Sequence, residues 1–140
     1  MNIALYTLTS PLHDEAAVNA VSGAFISEIE NALGARFDFR GNDFSGYGES
    51  GLDIIFVRTG GTEGLFKEIF PTLDGNILLL TSGKSNSLAA SLEIMSYLNQ
   101  QGRCGEIIHG SIGYIAERIN ILAKVENARK KLNGTKLGII

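Results

Sequence analysis

The chain has 140 residues, 44% of them hydrophobic, and a net charge of −3. This size fits one folded domain, and the apolar fraction excludes a disordered chain. The acidic balance argues against a nucleic-acid partner, since the one basic cluster, Arg129-Lys130-Lys131, fits the last turn of a helix. Cys104 is the only cysteine, which excludes an internal disulfide and a cysteine-based metal site. We interpret it as a small, half-buried residue.

No segment has the features of a targeting sequence or of a membrane span. The N-terminal run MNIALYTL lacks the basic region and the small-residue cleavage site of a secretory signal peptide. No apolar stretch approaches the roughly 20 residues that cross a bilayer. We therefore expect a cytoplasmic protein without a membrane partner.

Short apolar runs alternate along the chain with stretches of helical period. Asn2 to Leu8 predicts the first strand, and the helix after it ends at Gly34. Phe37 and Phe39 then alternate with polar residues, which predicts a strand with one polar face at the edge of a sheet. The apolar face of the first helix recurs at steps of three and four residues: Val18, Val21, Phe25, Ile29 and Leu33.

The second half of the chain continues this alternation after a glycine-rich segment, residues 41–51, which we interpret as a flexible loop. Leu52 to Val57 and Ile77 to Leu80 are continuous apolar runs, typical of strands covered on both faces. A short helix that ends near Phe70-Pro71 lies between them, and a short strand is predicted at Glu106 to Ile108. Apolar residues mark the last two helices: Leu88, Leu92, Met95 and Leu98 with a cap at Gly102, then Ile112, Ile115, Ile119, Leu122 and Leu132.

This order of elements predicts a three-layer α/β/α fold of the Rossmann or flavodoxin-like kind, with a parallel sheet in the strand order 2-1-3-4-5. We expect residues 1–135 to form this domain. Residues 136–140, KLGII, look like the start of a buried strand of a following domain, although they could also complete the sheet as a sixth strand. The chain therefore resembles one part of a larger protein more than a complete enzyme.

Ligands of an open parallel sheet bind beyond the carboxyl ends of its strands, near the switch in strand order. Three predicted loops meet at that edge, after the first, third and fourth strands. They carry the candidate ligand-binding residues Ser10, Thr59, Gly60, Gly61, Thr62, Glu63, Thr81, Ser82, Gly83, Lys84, Ser85, Asn86 and Ser87.

Each of the two longer loops admits two interpretations. In the turn from Thr81 to Ser87, Gly83 lets backbone amides face a phosphate or a polyol, and the helix start adds positive charge. The same turn could serve only to cap the helix through the side chain of Ser85, Asn86 or Ser87. In the turn from Thr59 to Glu63, the Glu63 carboxylate could bind sugar hydroxyls or only the first-turn amides of the helix.

Several catalytic and nucleotide-binding motifs are excluded. A Walker P-loop needs a glycine where Leu78 stands, which disfavours ATP hydrolysis. The glycines of a literal G-x-G-x-x-G at residues 46–51 precede a strand, so the dinucleotide-binding mechanism cannot operate and NAD is not supported. His13 and His109 lack carboxylates at metal-ligand spacing, and no nucleophile elbow is present. The sequence thus offers no catalytic set and no cofactor site.

The runs RTGGTEGLFKEI and LLLTSGKSNSLAASLEIMSYLNQQGRCGEIIHG resemble the N-terminal domain of the L-fucose and L-arabinose isomerase-like proteins. The resemblance covers about residues 53–140, including the end GTKLGII. It implies an aldose–ketose isomerase scaffold in which a divalent metal such as Mn²⁺, held by later domains, polarises the sugar oxygens. For this chain it implies a non-catalytic domain that contributes oligomer contacts and the rim of a sugar site, with the remaining domains and a homo-oligomer as partners.

A second resemblance concerns the turn SGKSNS and the helix after it, which are similar to those of sugar isomerase (SIS) phosphosugar-binding domains. The usual Ser-x-Ser-Gly spacing is broken, because Leu80 stands two positions before Ser82. A third interpretation is a plain interaction domain whose loops only pack against partner subunits.

Overall fold

The computed structural model describes residues 2–133, which form an α/β protein with one five-stranded parallel sheet. The strand order is β2-β1-β3-β4-β5, so the predicted Rossmann or flavodoxin-like fold is confirmed. Residues 134–140, and with them the predicted strand start at 136–140, lie outside the described residues, as does Met1. The elements are β1 (Ile3–Leu8), α1 (Glu15–Leu33), β2 (Asp38–Gly41), β3 (Leu52–Val57), α2 (Glu63–Ile69), a 3₁₀ turn (Phe70–Thr72), β4 (Ile77–Leu80), α3 (Ser87–Gln100), β5 (Gly105–Ile108) and α4 (Ile112–Asn133).

The sheet is covered by helices on both faces. One core contains Phe66 from α2 and Ile94 from α3, packed on Tyr6 and Ile55 of the sheet. The other core contains side chains of α1 and α4, packed on the opposite faces of β1, β3 and β4. Because β3 and β4 lie in the interior of the sheet and face a core on each side, their sequences are continuous apolar runs.

The second strand lies at an edge of the sheet, as its alternating sequence predicts. Among residues 2–133, β2 pairs only with β1, and the Phe39 side chain is 61% exposed. The predicted helix ends are also found: Gly34 and Gly102 both have left-handed backbone (φ +69°), and Lys130 and Lys131 lie in the last turn of α4. The sequence pattern therefore placed the element ends well.

Some side chains do not lie where their spacing suggests. Val21, Leu92 and Leu132 were predicted to face the core but are 45%, 57% and 61% exposed. The buried face of α3 consists instead of Ser87, Ala90, Ser91, Ile94 and Leu98, because this helix packs small side chains against the sheet near its start. Cys104 is exposed rather than half-buried, since it precedes the edge strand β5.

The glycine-rich segment between β2 and β3 is not the featureless loop that its composition suggests. The Phe44 ring stacks on the buried Tyr6 ring at a centroid distance of 4.9 Å, and the Tyr47 ring lies 5.4 Å from it. Lys130 of α4 donates hydrogen bonds to the carbonyl oxygens of Ser50 and Gly51. These contacts fix the segment at the amino end of β3, the edge opposite to the predicted ligand site.

Among residues 2–133, no helix has the length and apolar character that crossing a membrane requires.

Candidate functional site

The loops after β1, β3 and β4 meet at the carboxyl edge of the sheet, as predicted, and hydrogen bonds donated by backbone amides join them. The Ser10 amide donates to the Thr59 hydroxyl oxygen at 2.9 Å, which connects the first loop to the second. The Gly60 amide donates to the Ser85 carbonyl at 2.7 Å, which connects the second loop to the third. The three loops therefore form one continuous surface.

Gly60 is the closest point between the second and third loops. A Cβ atom built on Gly60 would lie 2.9 Å from Asn86 Cβ and 3.4 Å from the Asn86 carbonyl oxygen. Real Cβ atoms do not approach another carbon so closely, so only glycine fits here without movement of the neighbouring loop. The two-glycine turn of the sequence thus serves a close backbone approach.

Five of the predicted ligand residues are buried: Ser10 is 4% exposed, and the hydroxyls of four others bind other protein atoms. Thr59, Thr62, Thr81 and Ser87 are each 0% exposed. The Thr62 hydroxyl donates to the Thr59 carbonyl at 3.1 Å, and the Thr81 hydroxyl donates to Ser87 Oγ at 2.7 Å. Because these hydroxyls have partners inside the protein, their role is to hold the loops and not to contact a ligand directly.

The turn from Ser82 to Asn86 has an unusual backbone. Ser85 and Asn86 have φ values of +56° and +60°, a region that is costly for residues other than glycine. Asn86 is the N-cap of α3, but its side chain makes no capping hydrogen bond. Asn86 is thus the N-cap residue, one of the three that the sequence offered, but it caps the helix without a side-chain hydrogen bond. Asn86 also lines a cleft at this edge of the sheet.

His109, at the end of β5, packs against the same turn. Its Nδ1 lies 3.0 Å from the Thr81 carbonyl oxygen, and since a carbonyl can only accept, Nδ1 carries the proton in this contact. A Cβ atom on Gly83 would lie 2.8 Å from the His109 ring. This histidine therefore supports the turn.

Except for Gly83, the remaining predicted residues line two neighbouring concave surfaces, which border the turn after β4 and share His13. The first, which we call the Gly60 cleft, has a volume of about 300 Å³. It brings together predicted residues of all three loops, and α3 supplies the rest. Its lining residues are Ser10, Leu12, His13, Gly60, Gly61, Glu63, Asn86, Ala89, Ala90 and Glu93.

The second surface, the Arg58 cavity, has a volume of about 290 Å³ and lies between the start of α1 and the turn after β4. Ser82, Lys84 and Ser85 were predicted from the sequence as ligand residues, but Arg58 was not. The sequence does indicate Arg58 as a candidate, because it is a cation directly after the buried run LDIIFV, at the carboxyl end of a central strand. The lining residues are His13, Asp14, Ala17, Val18, Val21, Ser22, Arg58, Ser82, Lys84 and Ser85.

The described residues do not fit a divalent metal. Although His13, Glu63 and Glu93 line one cleft, residues 2–133 contain no group of three or more His, Cys, Asp or Glu side chains placed to hold an ion. We therefore derive no chemical step through a metal on this domain.

The fold is thus that of a doubly wound α/β protein, and clefts that contain polar side chains lie on its surface at the switch in strand order. Proteins with this fold have many different functions, so the function must be inferred from the side chains that line the clefts. Comparison of the chain with protein-family models, with curated proteins and with solved structures found no match.

Proposed function

We propose that this chain is the N-terminal, non-catalytic domain of an aldose–ketose isomerase-like protein, and that its Gly60 cleft is part of the rim of a carbohydrate site. The observation that carries the proposal is the set of groups lining this cleft. His13, Glu63, Asn86 and Glu93 supply imidazole, amide and carboxylate groups, while the hydroxyl of the buried Ser10 accepts a hydrogen bond from the Leu12 amide. Sugar hydroxyls both donate and accept hydrogen bonds, so they are matched by a mixed set of this kind.

The charges of the cleft favour a neutral sugar over a sugar phosphate. Glu63 and Glu93 both line it, and a carboxylate close to a phosphate is repulsive. In addition, two amides of the turn after β4 already have partners: Gly83 donates to Thr81 Oγ1 and Lys84 donates to Ser82 Oγ. A phosphate held by the amides of this turn, as in the SIS-like alternative, would have to replace these hydrogen bonds.

The proposal assigns no catalytic residue to this chain. The metal and the carboxylates that such an isomerase uses would belong to other domains, with which this domain would associate. The sugar would then be enclosed between the Gly60 cleft and a partner surface.

Replacing Glu63 with glutamine tests the sign of the charge effect. We expect neutral aldoses and ketoses to stabilise the wild-type chain and so to raise its melting temperature. At a sugar concentration of a hundred times the dissociation constant, the free energy of unfolding should increase by about 2.7 kcal/mol. Glu63→Gln should weaken this binding about tenfold, because the charged carboxylate acceptor is replaced by a neutral amide oxygen, which accepts a weaker hydrogen bond. Thermal melts with a panel of free and phosphorylated sugars, L-fucose and L-arabinose included, measure both effects.

Glu68→Gln is the matched control, since Glu68 lies on the same helix, is exposed and does not line the cleft. It should bind sugars as the wild type does. If Glu63→Gln instead strengthens the binding of sugar phosphates and neutral sugars have no effect, the phosphosugar alternative is correct. If no sugar changes the melting temperature of the wild type, the carbohydrate proposal is wrong and the interaction-module alternative gains.

The loop after β1 supports the proposed oligomer contacts, because it presents a leucine beside the polar cleft. Leu12 is 94% exposed and lines the Gly60 cleft, so its apolar side chain is available to a partner surface. We expect Leu12→Ser to shift the chain toward the monomer in sedimentation velocity. The free energy of unfolding of the monomer should change by no more than about 0.5 kcal/mol, as is typical of surface substitutions.

Leu92→Ser provides the comparison, since Leu92 is 57% exposed on α3 and does not line the Gly60 cleft. It should leave self-association unchanged. A wild-type chain that stays monomeric at all concentrations, or equal association of Leu12→Ser and the wild type, contradicts the proposed contact.

A further inference from the structure

The Arg58 cavity contains a guanidinium group whose charge is not neutralised by a neighbouring carboxylate. Arg58 Nε donates to Thr9 Oγ1 at 2.7 Å and Nη1 donates to Asn19 Oδ1 at 2.8 Å, and both acceptors are neutral. Within residues 2–133, Arg58 forms no salt bridge. Burial lowers the pKa of Arg58, and the more distant Glu15 carboxylate opposes this only in part. A cation in this state gains from any anion that reaches it.

The lining of the cavity includes a second cation and two serine hydroxyl groups. Lys84 is exposed, and its ammonium has no hydrogen bond or ion pair with the part of the chain that the structure describes. Ser82 and Ser85 lie beside it. Among the described residues, Asp14 is the only carboxylate that lines the cavity, and it accepts the capping hydrogen bond of the Ala16 amide at 3.2 Å. The cations therefore outnumber the anions here, although the chain as a whole is acidic.

We propose that the Arg58 cavity binds a small molecule through an oxyanion, either a phosphate or a carboxylate group, held between Arg58 and Lys84. Hydrogen bonds to Thr9 and Asn19 already orient the Arg58 side chain, so Arg58 loses little conformational freedom when the anion binds. The cavity volume of about 290 Å³ equals roughly ten water molecules, which leaves room for the carbon skeleton of the ligand. The site shares His13 with the Gly60 cleft but does not depend on the binding of a neutral sugar there.

Inorganic phosphate and acetate are the probes for this site, each titrated at constant ionic strength against sodium chloride. The readout is the ¹H–¹⁵N signal of Arg58 Nε, assigned by its loss in Arg58→Gln, together with the affinity from calorimetry. We expect both anions to shift this signal saturably. Tighter binding of phosphate would identify a phosphoryl ligand, and tighter binding of acetate a carboxylate ligand.

Lys84→Gln is the decisive variant, because an exposed side chain without internal partners can be changed without unfolding the protein. It should weaken anion binding about tenfold, the loss of one charge-assisted hydrogen bond. Lys124→Gln makes the same change in net charge on α4, outside the cavity, and should bind as the wild type does. The proposal is wrong if chloride of equal ionic strength produces the same shift, if Lys84→Gln binds anions normally, or if neutral sugars shift the Arg58 signal equally.

Discussion

We expect Gly60→Ala to lower the free energy of unfolding by about 1–3 kcal/mol, the usual cost of forcing an extra methyl group into a packed site. The new Cβ atom would lie 2.9 Å from Asn86 Cβ, so the loops after β3 and β4 would have to move apart. This movement would also weaken the hydrogen bond between the Gly60 amide and the Ser85 carbonyl, which is 2.7 Å long. Chemical denaturation measures the loss, and a lower affinity for sugars should accompany it.

A double-mutant cycle with Asn86→Gly isolates this contact. Asn86 has φ +60° and makes no capping hydrogen bond with its side chain, so glycine should be tolerated there within about 1 kcal/mol. In the double variant the obstructing Cβ atom is gone, and most of the cost of Gly60→Ala should be recovered. Gly64→Ala is the control, because a Cβ atom there meets nothing within 4 Å. Equal stability of Gly60→Ala and the wild type would mean that the two loops are not in contact.

The second large effect concerns Thr81→Val, which removes a buried hydroxyl at nearly constant volume. The Thr81 hydroxyl donates to Ser87 Oγ at 2.7 Å and accepts from the Gly83 amide at 3.0 Å. Valine would leave both partners without this contact in a site from which water is excluded, at a cost of about 2 kcal/mol. We expect lower stability in denaturation and faster hydrogen exchange at the Gly83 amide.

Thr72→Val provides the comparison for Thr81→Val. The Thr72 hydroxyl likewise donates one hydrogen bond, to the Ile69 carbonyl oxygen at 2.7 Å. Because Thr72 is exposed, water can replace this bond. Its loss should change stability by no more than about 0.5 kcal/mol. If the two variants are equally stable, the hydroxyl pair between Thr81 and Ser87 does not hold the turn.

The sheet could be predicted from sequence because its strongest signals are local. The runs at Leu52 to Val57 and Ile77 to Leu80 have no polar face except Asp53, and helical stretches separate the strands. The faces of the helices were harder to predict. In α3, Leu92 and Ile94 both belong to plausible apolar stripes, and packing against the sheet and α2 decides which one is buried.

The position of the candidate site was predictable, whereas the role of each residue in it was not. Parallel strands bring their carboxyl ends to one edge, so the three loops had to meet there. Which hydroxyls are used inside the protein depends on partners that are distant in sequence, such as the Ser10 amide and Thr59 Oγ1, 49 positions apart. Arg58 was missed for the same reason, since its value as an anion ligand depends on Asn19 and Lys84.

The carbohydrate-rim proposal is tested most directly by a ¹H–¹⁵N titration of the wild-type chain with neutral sugars. We predict saturable shifts of the Gly60, Gly61 and Asn86 amides. The amides of Gly48 and Gly75, which lie at the opposite edge of the sheet, should not move. No saturable shift at the Gly60 cleft, or shifts confined to the Gly48 and Gly75 edge, would contradict the assignment of this cleft to a sugar.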